Sequence, residues 1–408
     1  MNYKDIIIVG GGASGMMCAI IAKEKNPDKK VAVLEKQSRI GRKLLSTGNG
    51  RCNLYNINCN NSQSYHGSFS QKMNTVFKSC SVAKVAERFS KLGLVTHTDN
   101  EGRVYPFSNH AGTVLDVLLY RINELGIEVI SSSKVTSVAK ESNSFTVATE
   151  NESYKCEKLV ISTGSAAAPK LGADNSGISL LSKLGHKTKP FSPALCPIEA
   201  VDNTLLKSIK GVRQKGYASL FDGDEFIKTE SGEIQFTENS LSGICVFNLS
   251  ALIKTLNNPV ISLNLNPFTD DYGQLLHTLK LSASAFKDRR ISNYLDGIFV
   301  NKLGIAIMKS AGIKDFKKSV SALTKNEIES ICDVIYDWKF KVKKPDDFNK
   351  AQVCSGGVIG DEINAKAMRS TIVDNLYICG EAIDVDGDCG GFNLYFAFAS
   401  GIIAGENL

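Results

Sequence analysis

Three glycines with the spacing GxGxxG begin the most informative part of the chain, KDIIIVGGGASGMMCAIIAKEKNPDKKVAVLEK (4–36). They lie between an apolar strand and a short apolar helix. Gly10 permits a tight turn, Gly12 lets the backbone approach a pyrophosphate, and Gly15 lets the helix pack against the sheet. The helix N-terminus offers its positive dipole end to the diphosphate. The expected dinucleotide contacts in this turn are Gly10, Gly12, Ala13, Ser14 and Gly15.

An acid follows the second apolar strand of this segment. Glu35 lies about 20 residues beyond the glycines, where a carboxylate can accept hydrogen bonds from ribose hydroxyls. An acid at this position also repels a 2′-phosphate, which favours FAD or NAD over NADP. Lys36 is a further expected contact. A GxGxxG spacing alone would be a weak signal, but here the strand, the helix and the acid all occur in the expected order.

A glycine-rich and basic loop, GRKLLSTGNGRCN (41–53), comes next. Taken alone it would be read as a turn. Directly after a strand that ends in an acid, it occupies the place where a diphosphate and a flavin ring must run. Its glycines allow close backbone approach, its cations suit phosphates, and Asn53 can bond a ring edge. The expected cofactor contacts are Gly41, Arg42, Lys43, Thr47, Gly48, Gly50, Arg51, Cys52 and Asn53.

The C-terminal segment gives a second strong signal. NLYICGEAIDVDG (375–387) indicates a buried strand, and GGFNLYFAFASGIIAGENL (390–408) indicates a helix opened by glycine. In flavoproteins such a helix aims its N-terminus at the flavin C2 carbonyl, where it stabilises negative charge. We expect Gly380, Glu381 and Asp384 on the ribityl side, and Gly391, Phe392 and Asn393 at the pyrimidine edge. The alternative is an acidic turn that caps an ordinary helix.

Helices are expected around 70–92 and over 109–125, and short strands over 126–165. In a flavin-binding Rossmann domain the latter form a three-stranded β-meander. Its first strand lies beside the strand of Glu35 and its last, LVIS (159–162), returns to the parallel sheet. Val135 would then flank the adenine, with Thr163 and Gly164 at the end of the last strand.

A proline-rich stretch, KPFSPALCPIEA (189–200), indicates a domain boundary. The chain beyond it is strand-like, with turns expected at 222–224 and 231–232, and it becomes helical from about 270 to 338. The sequence therefore predicts a discontinuous Rossmann-type domain of residues 1–188 and 350–408. Residues 189–349 form an inserted β-rich, then helical, substrate or cap domain.

Composition excludes several classes of protein. The 408 residues are 43% hydrophobic and 22% charged, an ordinary globular balance. The net charge is +6, but the cations look dispersed and the nearest cluster, KFKVKK (339–344), is best explained as a solvated linker, so no nucleic-acid partner is expected. No stretch is apolar enough for a membrane partner. Eleven cysteines without a CxxC pair indicate a reduced, cytoplasmic protein, and the five histidines have no metal spacing.

Taken together, these motifs resemble the bacterial flavoprotein family that includes aminoacetone oxidase and the 3-dehydro-bile acid Δ4,6-reductases. The resemblance rests on motifs that span nearly the whole chain. They are GGGASG (10–15), GRKLLSTGNGRCN (41–53), GRVYPFS (102–108), PALCPIEA (193–200), GEIQFTENSLSG (232–243), GGVIGDEINAKAMRS (356–370) and ICGEAIDVDGDCGGFNL (378–394). It implies an α/β fold: a Rossmann-type FAD domain of the two-dinucleotide-binding-fold type, built from both chain ends, with an inserted β-barrel-like and helical subdomain.

The chain departs from the family pattern at four positions. Thr47 and Asn49 stand in place of Ser and Gly, Tyr55 in place of Thr, and Tyr395 in place of Gln. Because the two tyrosines could face the flavin or the substrate, these changes leave the substrate open. Cys52 lies near the expected flavin, where it could be a redox thiol or a packing residue. The candidate catalytic side chains are Arg103, Tyr105 and Tyr395.

The expected function is that of an FAD-dependent oxidoreductase that transfers hydride between flavin N5 and a small organic substrate, by amine oxidation or enone reduction. No second GxGxxG opening for a nicotinamide is present, so NAD(P)H is expected only as a transient reductant. Two alternatives remain open: a flavin-dependent enzyme that modifies tRNA or another nucleic acid, and a flavoprotein without turnover. The oligomeric state cannot be read from the sequence.

Overall fold

The computed structural model describes residues 2–268 and 271–408, which form two compact units. Unit 1 comprises Met1–Pro193 and Asp347–Leu408, and unit 2 comprises Ala194–Asp346.

The strands are β1 (Asn2–Val9), β2 (Val31–Leu34), β3 (Tyr55–Asn56), β4 (Tyr65–His66), β5 (Thr96–Thr98), β6 (Arg103–Pro106), β7 (Glu128–Ile130), β8 (Val135–Lys140), β9 (Phe145–Thr149), β10 (Ser153–Ile161), β11 (Thr188–Ala194), β12 (Ile198–Glu199), β13 (Arg213–Asp222), β14 (Glu225–Phe236), β15 (Ser240–Ser242), β16 (Pro259–Asn264), β17 (Trp338–Lys341), β18 (Val353–Val358), β19 (Ile363–Asn364), β20 (Arg369–Ser370), β21 (Leu376–Ile378) and β22 (Asp386–Gly387).

Twelve α-helices are found in the described residues. They are α1 (Ala13–Lys25), α2 (Arg42–Ser46), α3 (Met73–Ser79), α4 (Val82–Lys91), α5 (Ala111–Glu124), α6 (Ser176–Lys183), α7 (Thr204–Ser208), α8 (Ile244–Ser250), α9 (Tyr272–Ala285), α10 (Asn301–Ser310), α11 (Lys325–Tyr336) and α12 (Phe392–Glu406). Among the described residues, none of these helices combines the length and apolar character that a membrane crossing requires.

The main sheet of unit 1 has the strand order β19-β20-β21-β10-β1-β2-β7. The strands β21, β10, β1, β2 and β7 run parallel, and the strand β1 at their centre is buried along its apolar half, which is why that half reads as a continuous apolar run. The helices α1 and α12 pack closely together: a Cβ on Gly401 would lie 2.4 Å from the Ser14 carbonyl oxygen. The two chain ends therefore share one core, and the predicted Rossmann-type fold is confirmed.

The predicted β-meander is present as β8, β9 and β10, which pair in succession. The strand that lies beside β2, however, is β7, a separate strand that precedes the meander. The segment 126–165 thus contains four strands, because the chain between β7 and β8 bends away from the sheet at Ser132, whose φ is +52°. The helix expected around 70–92 is divided into α3 and α4, since Ser81 caps α4 with its side chain.

Unit 2 contains a six-stranded antiparallel sheet in the order β12-β15-β14-β13-β16-β17. Its two outer strands are also joined, because Val201 N donates to Lys341 O at 2.9 Å and Lys343 N donates to Glu199 O at 2.8 Å. These bonds close the sheet into a small barrel. The helices α9, α10 and α11 follow in the same unit, which agrees with the implied barrel-like and helical subdomain.

One predicted turn of unit 2 is right and one is wrong. Asp222 pairs with Glu225, so the chain turns at 223–224 as expected. The turn expected at 231–232 lies instead inside β14, where Ser231 pairs with Tyr217 and Gly232 pairs with Gly216. Ser–Gly is a local turn signal, and here the continuous pairing of β14 with β13 overrides it.

The units divide at 193/194 and 346/347, whereas the sequence placed the boundaries at 189 and 349. In unit 1 the leaving and returning segments are neighbours, because β11 pairs with β18 and a Cβ on Gly356 would lie 2.5 Å from the Pro190 carbonyl oxygen. Within unit 2, Ala200 likewise forms a bridge with Val342. The role of residues 189–349 as a cap or substrate domain stays a prediction.

Candidate cofactor site and active site

The fingerprint loop follows β1 and holds an open cradle. Gly10 has φ +107°, and a Cβ there would lie 2.5 Å from the Ser162 carbonyl oxygen. A Cβ on Gly15 would lie 2.0 Å from the Gly10 carbonyl oxygen, so only glycine allows α1 to begin here. At Gly12, by contrast, a Cβ would meet no described atom within 4 Å. The helix α1 starts beside this space without a side-chain cap, which suits a diphosphate.

The Glu35 carboxylate is held against the fingerprint. Its Oε2 accepts a hydrogen bond from Gly11 N at 2.8 Å, and its Oε1 accepts one from Gln37 N at 2.8 Å. Each oxygen retains a lone pair with which it could accept a ribose hydroxyl. The Ser133 N–H donates to the Glu35 carbonyl oxygen at 2.8 Å, so the chain leading to Val135 runs beside this acid. The acid, the fingerprint and the expected adenine segment are therefore neighbours.

The 41–53 loop also contacts the fingerprint, since Gly41 N donates to Gly11 O at 2.8 Å. Gly48, Asn49, Gly50 and Cys52 all have positive φ, at +57°, +56°, +83° and +61°. A positive φ is unfavourable for a cysteine, and such strain persists where the surrounding structure demands it, which is common at binding sites. The loop conformation is thus closely specified.

Three separate segments meet at Glu381. Lys43 Nζ lies 2.7 Å from Glu381 Oε2, and Ser165 Oγ donates to the same oxygen at 3.0 Å. Next to it, a Cβ on Gly380 would lie 2.5 Å from Ser14 Oγ. The loop after β2, the end of β10 and the end of β21 therefore converge at the carboxyl edge of the parallel sheet, where ligands bind in folds of this type.

The N-terminus of α12 packs closely against β3, because a Cβ on its N-cap Gly391 would lie 2.6 Å from the Tyr55 carbonyl carbon. Its N-cap Gly391 has φ +108° and no side chain caps the helix. A Cβ on Gly391 would lie 2.9 Å from Asn53 Oδ1, an atom that is buried and has no hydrogen-bond partner among the described residues. Asn393 Oδ1 accepts a hydrogen bond from Gly387 N at 2.8 Å, and Asn393 Nδ2 donates one to Gly387 O at 2.7 Å. Both bonds stabilise the turn that precedes α12. Phe392 packs on Tyr65.

Two other expected cofactor contacts, Asp384 and Lys36, are bound by protein groups, and a third, Thr163, is bound by no described group. Asp384 Oδ2 accepts hydrogen bonds from Ser68 N and Ser68 Oγ at 2.9 and 2.6 Å and lies 2.8 Å from Lys189 Nζ. Burial opposes ionisation, but Lys189 and Ser68 outweigh it and lower the pKa of Asp384. Lys36 lies 2.6 Å from Asp174. Thr163 Oγ1 is buried and has no partner in the described part of the chain.

Sequence reasoning missed Asp386, which lies on the short strand β22 between Glu381 and Gly391. It is 2% exposed, and no hydrogen bond of normal geometry to a described residue reaches either carboxyl oxygen. Burial raises its pKa to about 6, although His66 and Ser355 lower it in part. The signal available in the sequence was the run of alternate acids in DVDGD (384–388). Asp386 can hold a proton close to neutral pH.

The three candidate catalytic side chains lie in different surroundings. The Tyr395 ring is fully buried and its hydroxyl donates to the Cys80 carbonyl oxygen at 2.6 Å. The ring, which was expected to face the flavin or the substrate, packs against Phe77 of α3. Arg103 Nε lies 2.7 Å from Asp99 Oδ2, so the Arg103 side chain forms an ion pair within the β5–β6 hairpin. Tyr105 is 3% exposed beneath the Arg51 guanidinium, 4.8 Å from the ring centroid.

Cys52 is better explained as a packing residue than as a redox thiol. It is fully buried, and burial raises the pKa of its thiol to about 12, although Thr47 lowers it slightly. Burial also raises the pKa of Cys59 to about 12. A thiolate is the reactive form of cysteine, and neither residue forms one near neutral pH.

Similarity to known proteins extends over almost the whole chain. The sequence profile of the HI0933-like protein Rossmann domain matches residues 4–407. The 3-dehydro-bile acid Δ(4,6)-reductase of Clostridium scindens is 29% identical over 402 residues, which cover 98% of this chain and 97% of the relative. The ribosomal RNA dihydrouridine synthase of Escherichia coli is 26% identical over 415 residues, covering 100% and 98%.

A solved structure has the same fold. The 3-ketosteroid Δ1-dehydrogenase of Sterolibacterium denitrificans, solved in complex with 1,4-androstadiene-3,17-dione, aligns with a TM-score of 0.51 and 12% identity over 100% of this chain and 99% of that chain. This likeness concerns the fold, and the family is shown by the profile match over residues 4–407. The chain belongs to the HI0933-like Rossmann-domain family of flavin-dependent oxidoreductases.

Proposed function

We propose that the chain binds FAD and reduces a carbon–carbon double bond conjugated to a carbonyl. The observation that carries the proposal is that unit 1 holds two helix N-termini without a side-chain cap, those of α1 and α12, together with the carboxylates Glu35 and Glu381. The fingerprint would hold the diphosphate, Glu35 the adenosine ribose, and Glu381 with Lys43 the ribityl side. Asn53 Oδ1 offers an unused acceptor for a ring N–H.

When bound, reduced FAD supplies a hydride at N5, which the alkene accepts at its β-carbon while a proton from an acid adds to its α-carbon. Asp386 is the residue that we propose to hold this proton, because it is buried, unpartnered among the described residues, and has a pKa of about 6. A carboxyl with a raised pKa can be protonated at working pH and donate. NAD(P)H, docking transiently, is the proposed reductant of the flavin.

The relative from Clostridium scindens favours reduction over amine oxidation, since its name describes a reductase and it matches nearly the full chain. The Escherichia coli relative favours a second candidate substrate, uridine in RNA. The C5–C6 bond of uracil is also conjugated to a carbonyl, so both substrates require the same hydride and proton transfer. A flavoprotein without turnover is disfavoured by membership of an oxidoreductase family.

The proposal is tested with purified protein. The released cofactor should be FAD by chromatography, and NADH or NADPH should bleach the flavin absorbance without oxygen. The reduced protein should then be reoxidised by steroid-like enones or by uridine-containing RNA, but not by saturated ketones of the same shape. Release of FMN, or reduction of the flavin by amines with no reoxidation by any conjugated alkene, would contradict it.

A further inference from the structure

The positive charge of the chain is concentrated in one part of unit 2. Residues 280–318 contain nine Lys or Arg and three Asp or Glu, a net charge of +6 that equals the net charge of the whole chain. The rest of the protein is therefore neutral overall. All nine cations are exposed. Lys280 forms an ion pair with Glu329 at 3.0 Å, and the other eight fall within 287–318; we call these eight the basic face. They are Lys287, Arg289, Arg290, Lys302, Lys309, Lys314, Lys317 and Lys318.

The fold brings two stretches of the basic face side by side. Ile291 N donates to Lys318 O at 2.9 Å, and Val320 N donates to Arg289 O at 2.8 Å. Arg290 and Ser319 form an antiparallel bridge. The cations before α10 and those after it are thereby held on adjacent extended segments. Because α10 separates these two stretches in the sequence, the cluster does not appear there as one long run of basic residues.

The cations of the basic face are not neutralised by the protein. None of the eight forms an ion pair with a residue that the structure describes, whereas Lys210, Lys228, Lys339 and Lys343, all in unit 2, each pair with an acid at 2.6–3.1 Å. Unpaired exposed cations repel one another, so a surface that keeps eight of them is suited to a polyanion.

The acids within 280–318 are partly engaged by other groups. Asp296 accepts hydrogen bonds from Asn293 and Asn301, each at 2.8 Å, and Asp315 accepts one from Lys317 N at 3.0 Å. The central carbon of the Arg289 guanidinium lies 3.9 Å from the centroid of the Phe286 ring. A planar guanidinium matches the geometry of a phosphate group.

We propose that the basic face binds the phosphate backbone of RNA. The proposal deepens the RNA branch of the proposed function. It replaces the expectation that the chain has no nucleic-acid partner, which rested on the dispersal of Lys and Arg along the sequence. RNA is favoured over an acidic protein because the cations of the basic face are spread over several segments of the chain. A polyphosphate chain meets such a surface at many points.

The test compares two fourfold variants with equal loss of charge. R289A/R290A/K317A/K318A removes four unpaired cations, and K210A/K228A/K339A/K343A removes four paired ones. Binding of a fluorescent ribosomal RNA stem-loop transcript is measured by anisotropy over a range of salt concentrations. We expect the first variant to lose at least about tenfold in affinity near 100 mM salt and to flatten the log–log salt dependence by about 3, while the second changes less than about twofold.

Flavin content and reoxidation by a small enone should be unchanged in both variants, so loss of RNA binding is distinguished from failure of the proposed chemistry. Phosphatidylglycerol vesicles and polyglutamate serve as competing polyanions. The proposal is overturned if the wild-type protein does not bind the transcript, if both variants lose affinity equally, or if either competitor binds more tightly than RNA.

Discussion

Unit 1 and unit 2 present opposite kinds of polar surface. Around the fingerprint of unit 1, the carboxylates of Glu35 and Glu381 already have fixed protein partners, and the open groups are backbone N–H groups at helix ends. On the basic face of unit 2, eight long cationic side chains are exposed and unpaired with any described residue. The first arrangement is preorganised for one rigid ligand, and the second suits a long polyanion whose binding falls with salt.

The strongest test of this contrast separates the units. Replacing residues 194–346 by a short glycine–serine linker should abolish turnover and RNA binding, yet keep FAD affinity within about tenfold of the full chain (about 1.4 kcal/mol). The reason is that the fingerprint, Glu35 and Glu381 all lie in unit 1. FAD titration into apoprotein, with circular dichroism as a check on folding, measures both. A folded unit 1 without FAD affinity would contradict the assignment of the whole cofactor site to unit 1.

Two glycines of the fingerprint should differ sharply. Gly15→Ala should destabilise apoprotein by about 3 kcal/mol, because its Cβ would lie 2.0 Å from a backbone oxygen. Gly12→Ala is the matched control: its Cβ meets no described atom within 4 Å, so thermal stability should be kept while FAD affinity falls. Thermal unfolding and FAD titration of both variants distinguish the effects. Full FAD affinity in Gly12→Ala would show that the cradle is not the diphosphate site.

Asp386 and Asp384 should respond to pH in opposite directions. The pKa of Asp386 is raised to about 6, so the folded state holds its proton more tightly than the unfolded state and stability falls as pH rises from about 4 to 6. Asp386→Asn should remove this fall and gain about 2–3 kcal/mol at pH 7. The pKa of Asp384 is lowered, so Asp384→Asn should lose stability above its usual pKa. Equal pH profiles of unfolding in wild type and Asp386→Asn would count against a buried, unpaired carboxyl.

The smallest expected effect is at Glu35. Glu35→Ala should weaken FAD binding by about 1–3 kcal/mol, because a charge-assisted hydrogen bond to the ribose is lost. Glu35→Gln keeps the size and one acceptor, so it should lose less. Isothermal titration of FAD into each apoprotein gives the difference. If FAD affinity is unchanged in Glu35→Ala, the carboxylate only supports the Gly11 and Gln37 backbone.

Much of unit 1 could be predicted because its signals are local. The glycine at position 10 needs a positive φ, Gly15 needs close helix packing, and Glu35 ends a strand, so each requirement is visible in neighbouring residues. Tyr395 shows the limit of such reasoning. It became a candidate because it stands where the family pattern has Gln and could face the flavin or the substrate, but α3, from a distant part of the chain, packs against it.

The amino-acid sequence by itself determined the dinucleotide fold, because glycine spacing and strand–helix order act over short distances. The assembly of that fold from both chain ends was implied by the family resemblance. Tertiary structure decided which polar groups are left without partners. Asp386 is buried by described residues that bring no hydrogen bond of normal geometry to its carboxyl oxygens. The basic face forms because residues near 290 pair with residues near 318. Burial and long-range pairing depend on the whole chain, so no short motif could reveal either.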